Sequence, residues 1–133
     1  MATNAPLHCS VITPEQQVLD ADASAVVMPA HDGLIGILPN RAPLLTELGT
    51  GVLRVDTNEG QKQFFVDGGF AQVLNNEVTI LTERAAAAED ISAGDAQKAM
   101  QEAQAMPTPD EASAQARRRA VDRARAQMAI AKR

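Results

Sequence analysis

Few residues of this 133-residue chain could do chemistry. His31-Asp32 lies in a glycine-rich turn, His8 and Cys9 adjoin in an apolar-alternating run, and Arg117, Arg118, Arg119, Arg123 and Arg125 crowd one segment near the end, followed by Lys132 and Arg133. A histidine beside an aspartate suggests acid–base work. Adjacent residues of an extended chain point to opposite sides, however, and no serine or cysteine nucleophile motif accompanies the pair; a solvated loop tip is the simpler reading. His8 reads as a strand residue. Two histidines and one cysteine give no metal-ligand spacing. Gly33-Leu34-Ile35-Gly36 is not a phosphate loop, because no GK[ST] follows. Asp67-Gly68-Gly69 reads as a strand bend or bulge. No catalytic residue, cofactor or metal is expected.

The arginines carry the strongest compositional signal. Guanidinium groups favour bidentate contacts with carboxylates or phosphates. Five of them with only Asp122 between exceed what a solvated helix needs, and suggest an acidic partner. Nucleic acid is an alternative, but the net charge of -5 opposes phosphate attraction, and three Phe with no Trp or Tyr leave little for base stacking. A free-standing adaptor with a basic helix and a small enzyme built on His31-Asp32 are the other function classes left open.

The elements that must position these residues fall into two pieces. Up to Asp90 there are four Lys/Arg against twelve Asp/Glu; from Ile91 onward there are eight against five. An acidic front and a basic tail imply different partners. From Leu7 to about Glu83, short runs such as LHCSVIT, SAVVMPA, GVLRVDT and EVTILTE are separated by turn residues, and several alternate with period two. Asn58-Glu59-Gly60, Gly68-Gly69 and Asn75-Asn76 mark the breaks. The expected architecture is an all-β head, a β-sandwich of about ten short strands over residues 1–86, followed by an α-helical hairpin over residues 87–133. The single Cys9 reads as a small buried hydrophobe and excludes an intrachain disulfide. The start of the chain lacks a signal-peptide pattern, and no apolar run approaches a bilayer span; a soluble, reducing compartment is expected.

The second piece begins where the period changes, after the Ala85 to Ala88 run. Ser92 and Asp95 form a capping box, and Ala96, Ala99, Met100 and Ala103 follow at helical spacing. Pro107-Thr108-Pro109 ends that helix, and Thr108 is expected to cap the next, with Pro109 at its first position. An alanine-rich face buries little per residue, since a methylene contributes only about 0.8 kcal/mol. The hairpin is therefore expected to dock weakly and to be displaceable without unfolding.

The stretch GxxGILPxxAPLLTxLxxGVLR, from Gly33 to Arg54, resembles the epsilon subunit family of bacterial F-type ATP synthases, and FVDGGFAQVLNNEVTIL, from Phe65 to Leu81, resembles that family's second characteristic segment. The likeness covers nearly the whole chain. It implies a non-catalytic central-stalk subunit whose sandwich head binds the gamma subunit and the ring of c subunits and couples proton- or sodium-driven rotation to ATP synthesis. It implies a hairpin that lies against the head or extends along gamma, where it reaches the alpha/beta hexamer and blocks ATP hydrolysis. The resemblance also implies a complex on the cytoplasmic face of the bacterial plasma membrane, with the chain meeting the membrane only through it. Carried onto this sequence, the ring and gamma contacts fall on His31, Asp32, Leu34 and Arg41. The basic residues facing an acidic beta-subunit segment are Arg117, Arg118, Arg119, Arg123 and Arg125. The chain departs from the family at three places. Arg41 stands where the family commonly has His, and Leu34 where it has a polar or acidic residue. Ser92 and Asp95 stand where ATP-binding members carry Asp and Arg, so ATP binding by that motif is not expected.

Overall fold

The computed structural model describes residues 6–30 and 33–131; His31, Asp32, Lys132 and Arg133 lie outside them. Eight strands are described: β1 (Leu7–Ile12), β2 (Gln17–Ala23), β3 (Ala25–Ala30), β4 (Gly33–Ile37), β5 (Leu44–Thr57), β6 (Gly60–Leu74), β7 (Glu77–Leu81) and β8 (Ala85–Ala87). They form one hydrogen-bonded array in the order β2-β1-β7-β6-β5-β3-β4, with β8 added to β6. All neighbours are antiparallel except β1 and β7.

The sandwich comes from folding this array at one corner. β5 and β6 run for 14 and 15 residues; at about 3.3 Å per residue each would span roughly 50 Å if straight. Instead the ribbon bends where Gly68 and Gly69 take φ of +81° and +117°. The β5–β6 register is the same on both sides, from Leu44↔Val73 to Leu48↔Gly69 and from Thr50↔Asp67 to Thr57↔Gly60. The first half of β5 and second half of β6 join β7, β1 and β2 in one layer; the other halves join β8, β3 and β4 in the second. Inward side chains of both layers, among them Leu7, Val11, Met28, Ile37, Leu53, Val66 and Ile80, make one aliphatic core. Cys9 is buried in it, and burial pushes its thiol pKa up to about 12, so it is unreactive at neutral pH.

The strands are fewer and longer than expected. The GVLRVDT run is the second half of a strand that starts at Leu44, and the strand from Gly60 to Leu74 passes through the Gly68-Gly69 break, because glycine bends the ladder there without ending it. Gly69 is required by its surroundings: a Cβ would lie 2.0 Å from the Leu81 carbonyl oxygen. The Ala85 to Ala87 segment, just before the change of period, is a short strand paired with Phe64 to Val66, so the head runs through Ala87, one residue beyond the expected boundary. Asn75 and Asn76 both adopt positive φ in the two-residue turn between β6 and β7, as their types suggested.

A 3-10 turn (Ala88–Asp90) leads into α1 (Ala93–Gln104) and α2 (Glu111–Ile130). Ser92 caps α1 by accepting the Asp95 backbone N–H at 3.2 Å. The cap of α2 is Asp110, not Thr108: its carboxylate accepts the Ser113 N–H at 2.8 Å. Two residues further on than Thr108, it offers an anion to the positive end of the helix, and Pro109 falls before the helix instead of within it. The Ser113 N–H, then its hydroxyl, holds the Asp110 carboxyl below the usual range. α1 and α2 pack together, and Arg117 of α2 donates to the Gln104 carbonyl at the end of α1, 3.3 Å away.

Candidate functional site

The head has two outer sheet faces, and they differ. α2 lies across β5 and β6 on the second layer. Phe65, between the core residues Phe64 and Val66, points away from the core by strand alternation and is fully buried on this side. Ala96, Ala103, Ala124 and Ile130 are the buried residues of the hairpin. The hairpin's buried positions are thus mostly alanine, joined by one isoleucine, and the head places one aromatic, Phe65, beneath it; composition singled out neither large group.

The outer face of the first layer is covered by no described element. Leu45 is 71 % exposed, Phe70 53 % and Leu81 51 %, and Leu74 is also exposed. Register places Glu47, Phe70, Leu81 and Ile12 in one row across four strands. Asp20, Asp22 and Glu77 stand around His8 toward the β2 edge. Large exposed apolar groups arranged as neighbours mark a contact surface where scattered ones do not. Sequence reasoning missed this face, although strict alternation in EVTIL had already put Leu81 opposite buried Ile80.

His8 is more than a plain strand residue. Its Nδ1 lies 2.9 Å from an Asp22 carboxylate oxygen, and its Nε2 contacts Asp20. These hydrogen bonds, Asp22 first, raise its pKa above the ordinary 6.5. The group is a surface bridge between β1 and β2.

The positions implied to face ring and gamma separate in space. Leu34, 72 % exposed, sits at the start of β4 opposite Pro29. It lines a groove of about 560 Å³ together with Arg54, Asp122 and Arg125. Arg41 lies beyond the other end of β4, exposed in the Pro39 to Pro43 loop. That loop is fastened to the β6–β7 turn: the Asn40 N–H donates to Asn76 Oδ1 at 2.6 Å, and the Asn76 amide returns a bond at 3.4 Å. Leu38 and Leu45 are exposed on either side of the loop.

A family model described as "ATP synthase, Delta/Epsilon chain, beta-sandwich domain" matches residues 6–88. The ATP synthase epsilon chain of Rhodopirellula baltica is 43 % identical over 122 residues, covering 92 % of this chain and 95 % of that one. The chain belongs to the ATP synthase delta/epsilon family. The Synechococcus epsilon chain is 45 % identical over 97 residues, 73 % of this chain and 71 % of the relative. Among solved structures, a chain of the Euglena gracilis mitochondrial ATP synthase (OSCP/F1/c-ring, rotational state 1) superposes with a TM-score of 0.86 at 26 % identity, covering 97 % of this chain and 83 % of that chain. A chain of the Tetrahymena thermophila mitochondrial ATP synthase (central stalk/c-ring) shares the fold, with a TM-score of 0.74 at 15 % identity and coverage of 98 % and 99 %.

In this delta/epsilon family member the arginine cluster does not form one patch. Arg119 and Arg123, four apart, share a face of α2; Arg118 and Arg125, seven apart, share another. Arg117 braces α1, Arg118 pairs with Glu111 at 3.5 Å, and Arg125 pairs with Asp122 at 3.6 Å. Arg123 reaches the head, with Nε 3.8 Å from Asp67 Oδ2. Arg118, Arg119 and Arg125 are exposed with the hairpin docked.

Proposed function

We propose that this chain is the non-catalytic central-stalk subunit of an F-type ATP synthase, transmitting rotation of a proton- or sodium-driven ring to ATP synthesis. One observation carries the reading beyond family membership: the head keeps one sheet face apolar and uncovered while its own hairpin occupies the other. The row from Phe70 to Ile12 and the Arg41 loop supply the surface for the gamma subunit. The tip around Leu34, at the far end of β4, supplies the contact with the c-ring, to which His31 and Asp32 are assigned by sequence. The two ends of β4 thus serve two partners.

The hairpin, residues 87–133, acts as a separable regulatory unit from the 1–86 head. Extended, it would bring Arg118, Arg119 and Arg125 to an acidic segment of the catalytic alpha/beta hexamer and restrain ATP hydrolysis. A partner preferring the extended form about 100-fold shifts the balance by about 2.7 kcal/mol. Ser92 serves as a helix cap and Asp95 adds negative charge beside it, which supports the absence of nucleotide binding there. Membrane association runs through the complex, at the cytoplasmic face of a bacterial plasma membrane.

The test is reconstitution. A complex assembled without this chain should lose ATP-driven ion pumping while its catalytic subunits still hydrolyse ATP. Pumping that stays coupled would refute the stalk role. Removing residues 91 to 133 should raise hydrolysis and preserve coupling; an unchanged rate would remove the inhibitory role alone.

A further inference from the structure

We propose that Asp67 and Arg123 form a charge latch that sets how firmly the hairpin rests on the head. The proposal depends on the hairpin being a separable unit, as read above. Among the described residues this is the ion pair that joins the two parts, at 3.8 Å; the pairs Arg118–Glu111 and Arg125–Asp122 stay within the hairpin. Asp67 is held ready for the contact. Its Oδ1 accepts the Thr50 hydroxyl at 2.8 Å, and its backbone N–H donates to the Arg84 carbonyl at 3.3 Å. That leaves Oδ2 for Arg123. The residue sits at the ribbon corner, just before Gly68, where the two layers part.

The surroundings give the pair more influence than an ordinary surface contact. Its side chains are 36 % and 26 % exposed, against 62 % and 78 % for Arg118–Glu111. Arg123 lines a cleft of about 320 Å³ with Arg84 of the head and Glu102 of α1. Two arginines and one glutamate line this cleft, so the Asp67 carboxylate beside it offsets an excess of positive charge. Alanine predominates among the hairpin's own buried residues and Phe65 supplies the large apolar contact from the head; the ion pair adds the charged, directional contact between the two parts. While docked, Arg123 is committed to Asp67. An acidic partner can engage exposed Arg118, Arg119 and Arg125 first and gains Arg123 only by displacing Asp67.

Amide hydrogen exchange on the full chain reads this directly. Asp67→Asn and Arg123→Gln should each speed exchange in α1 and α2 about three- to fivefold, the range of a partly exposed ion pair, while β1 and β7 keep their rates. The double exchange Asp67→Arg/Arg123→Asp should return the hairpin close to its original rate. Thr50→Val should act in the same direction, more weakly. Hairpin amides that open separately from the head but ignore both single substitutions would overturn the latch and leave the separable hairpin standing. Hairpin amides that exchange only together with β1 and β7 in the unaltered chain would overturn both.

Discussion

The head and the hairpin are built on opposite principles. The head encloses branched aliphatics from two layers and holds its shape through a ribbon whose register never slips. The hairpin gets its shape locally, from capped helices of strong helix formers, and its position from a few contacts. Deep burial fixes a part; shallow burial with strong local propensity lets a part keep its structure while its place is negotiated. In the proposed role the first gives a rigid grip on neighbours and the second an arm that can answer to them.

The contrast breaks most visibly at the corner of the head. Gly69→Ala puts a Cβ 2.0 Å from the Leu81 carbonyl oxygen at a φ of +117°. Strain plus overpacking should cost about 4 kcal/mol, read as a lower denaturant midpoint of the whole head. A loss below roughly 1 kcal/mol would mean the corner relaxes and does not fix the layers.

Phe65→Ala sharpens the contrast. Truncating a buried Phe costs about 3 kcal/mol. Because Phe65 lies on the hairpin side of the sheet, the loss should appear chiefly as hairpin release. Helix amides should lose protection far more than those of β7. Equal losses in both would show Phe65 to be head core after all. Ser92→Ala removes the cap of α1 and should cost about 1 kcal/mol. It should show as lower helicity by circular dichroism, with the head's denaturation midpoint unmoved.

How much of this was legible beforehand follows the same division. The all-β head, the Asn75-Asn76 turn, the bend at Gly68-Gly69 and the Ser92 cap were readable because each depends on neighbours in sequence. Strand continuity was not. Glycine inside an apolar run reads as an end, and only the partner strand decides that it is a bend. The Ala85 to Ala88 run marked the end of the head, but three alanines carry no strand signal of their own, and only pairing with Phe64 to Val66 makes Ala85 to Ala87 a strand. The arginines clustered in sequence but not on the surface, since a helix distributes neighbours around its axis. The uncovered face needed the register: Phe70, Leu81 and Ile12 come from three strands and meet only through it.

The smallest expected effect belongs to His8. Hydrogen bonds with Asp22 and then Asp20 raise its pKa above 6.5, so the folded chain holds this proton more tightly than the unfolded one. The resulting stability is fully present below about 6.5, the ordinary value, and fades as pH rises through the raised one. Half-exposed side chains keep the effect small. Both histidines of the chain precede the hairpin, so a response between pH 6 and 8 should be confined to the head. Amides of β2 should exchange faster at pH 8 than at pH 6, after correction for intrinsic rates, while those of α1 and α2 should not. His8→Gln should flatten the β2 response, and His31→Gln should leave it intact. A β2 profile that survives His8→Gln would assign the response elsewhere and reduce the Asp–His–Asp bridge to a solvated contact without energetic weight.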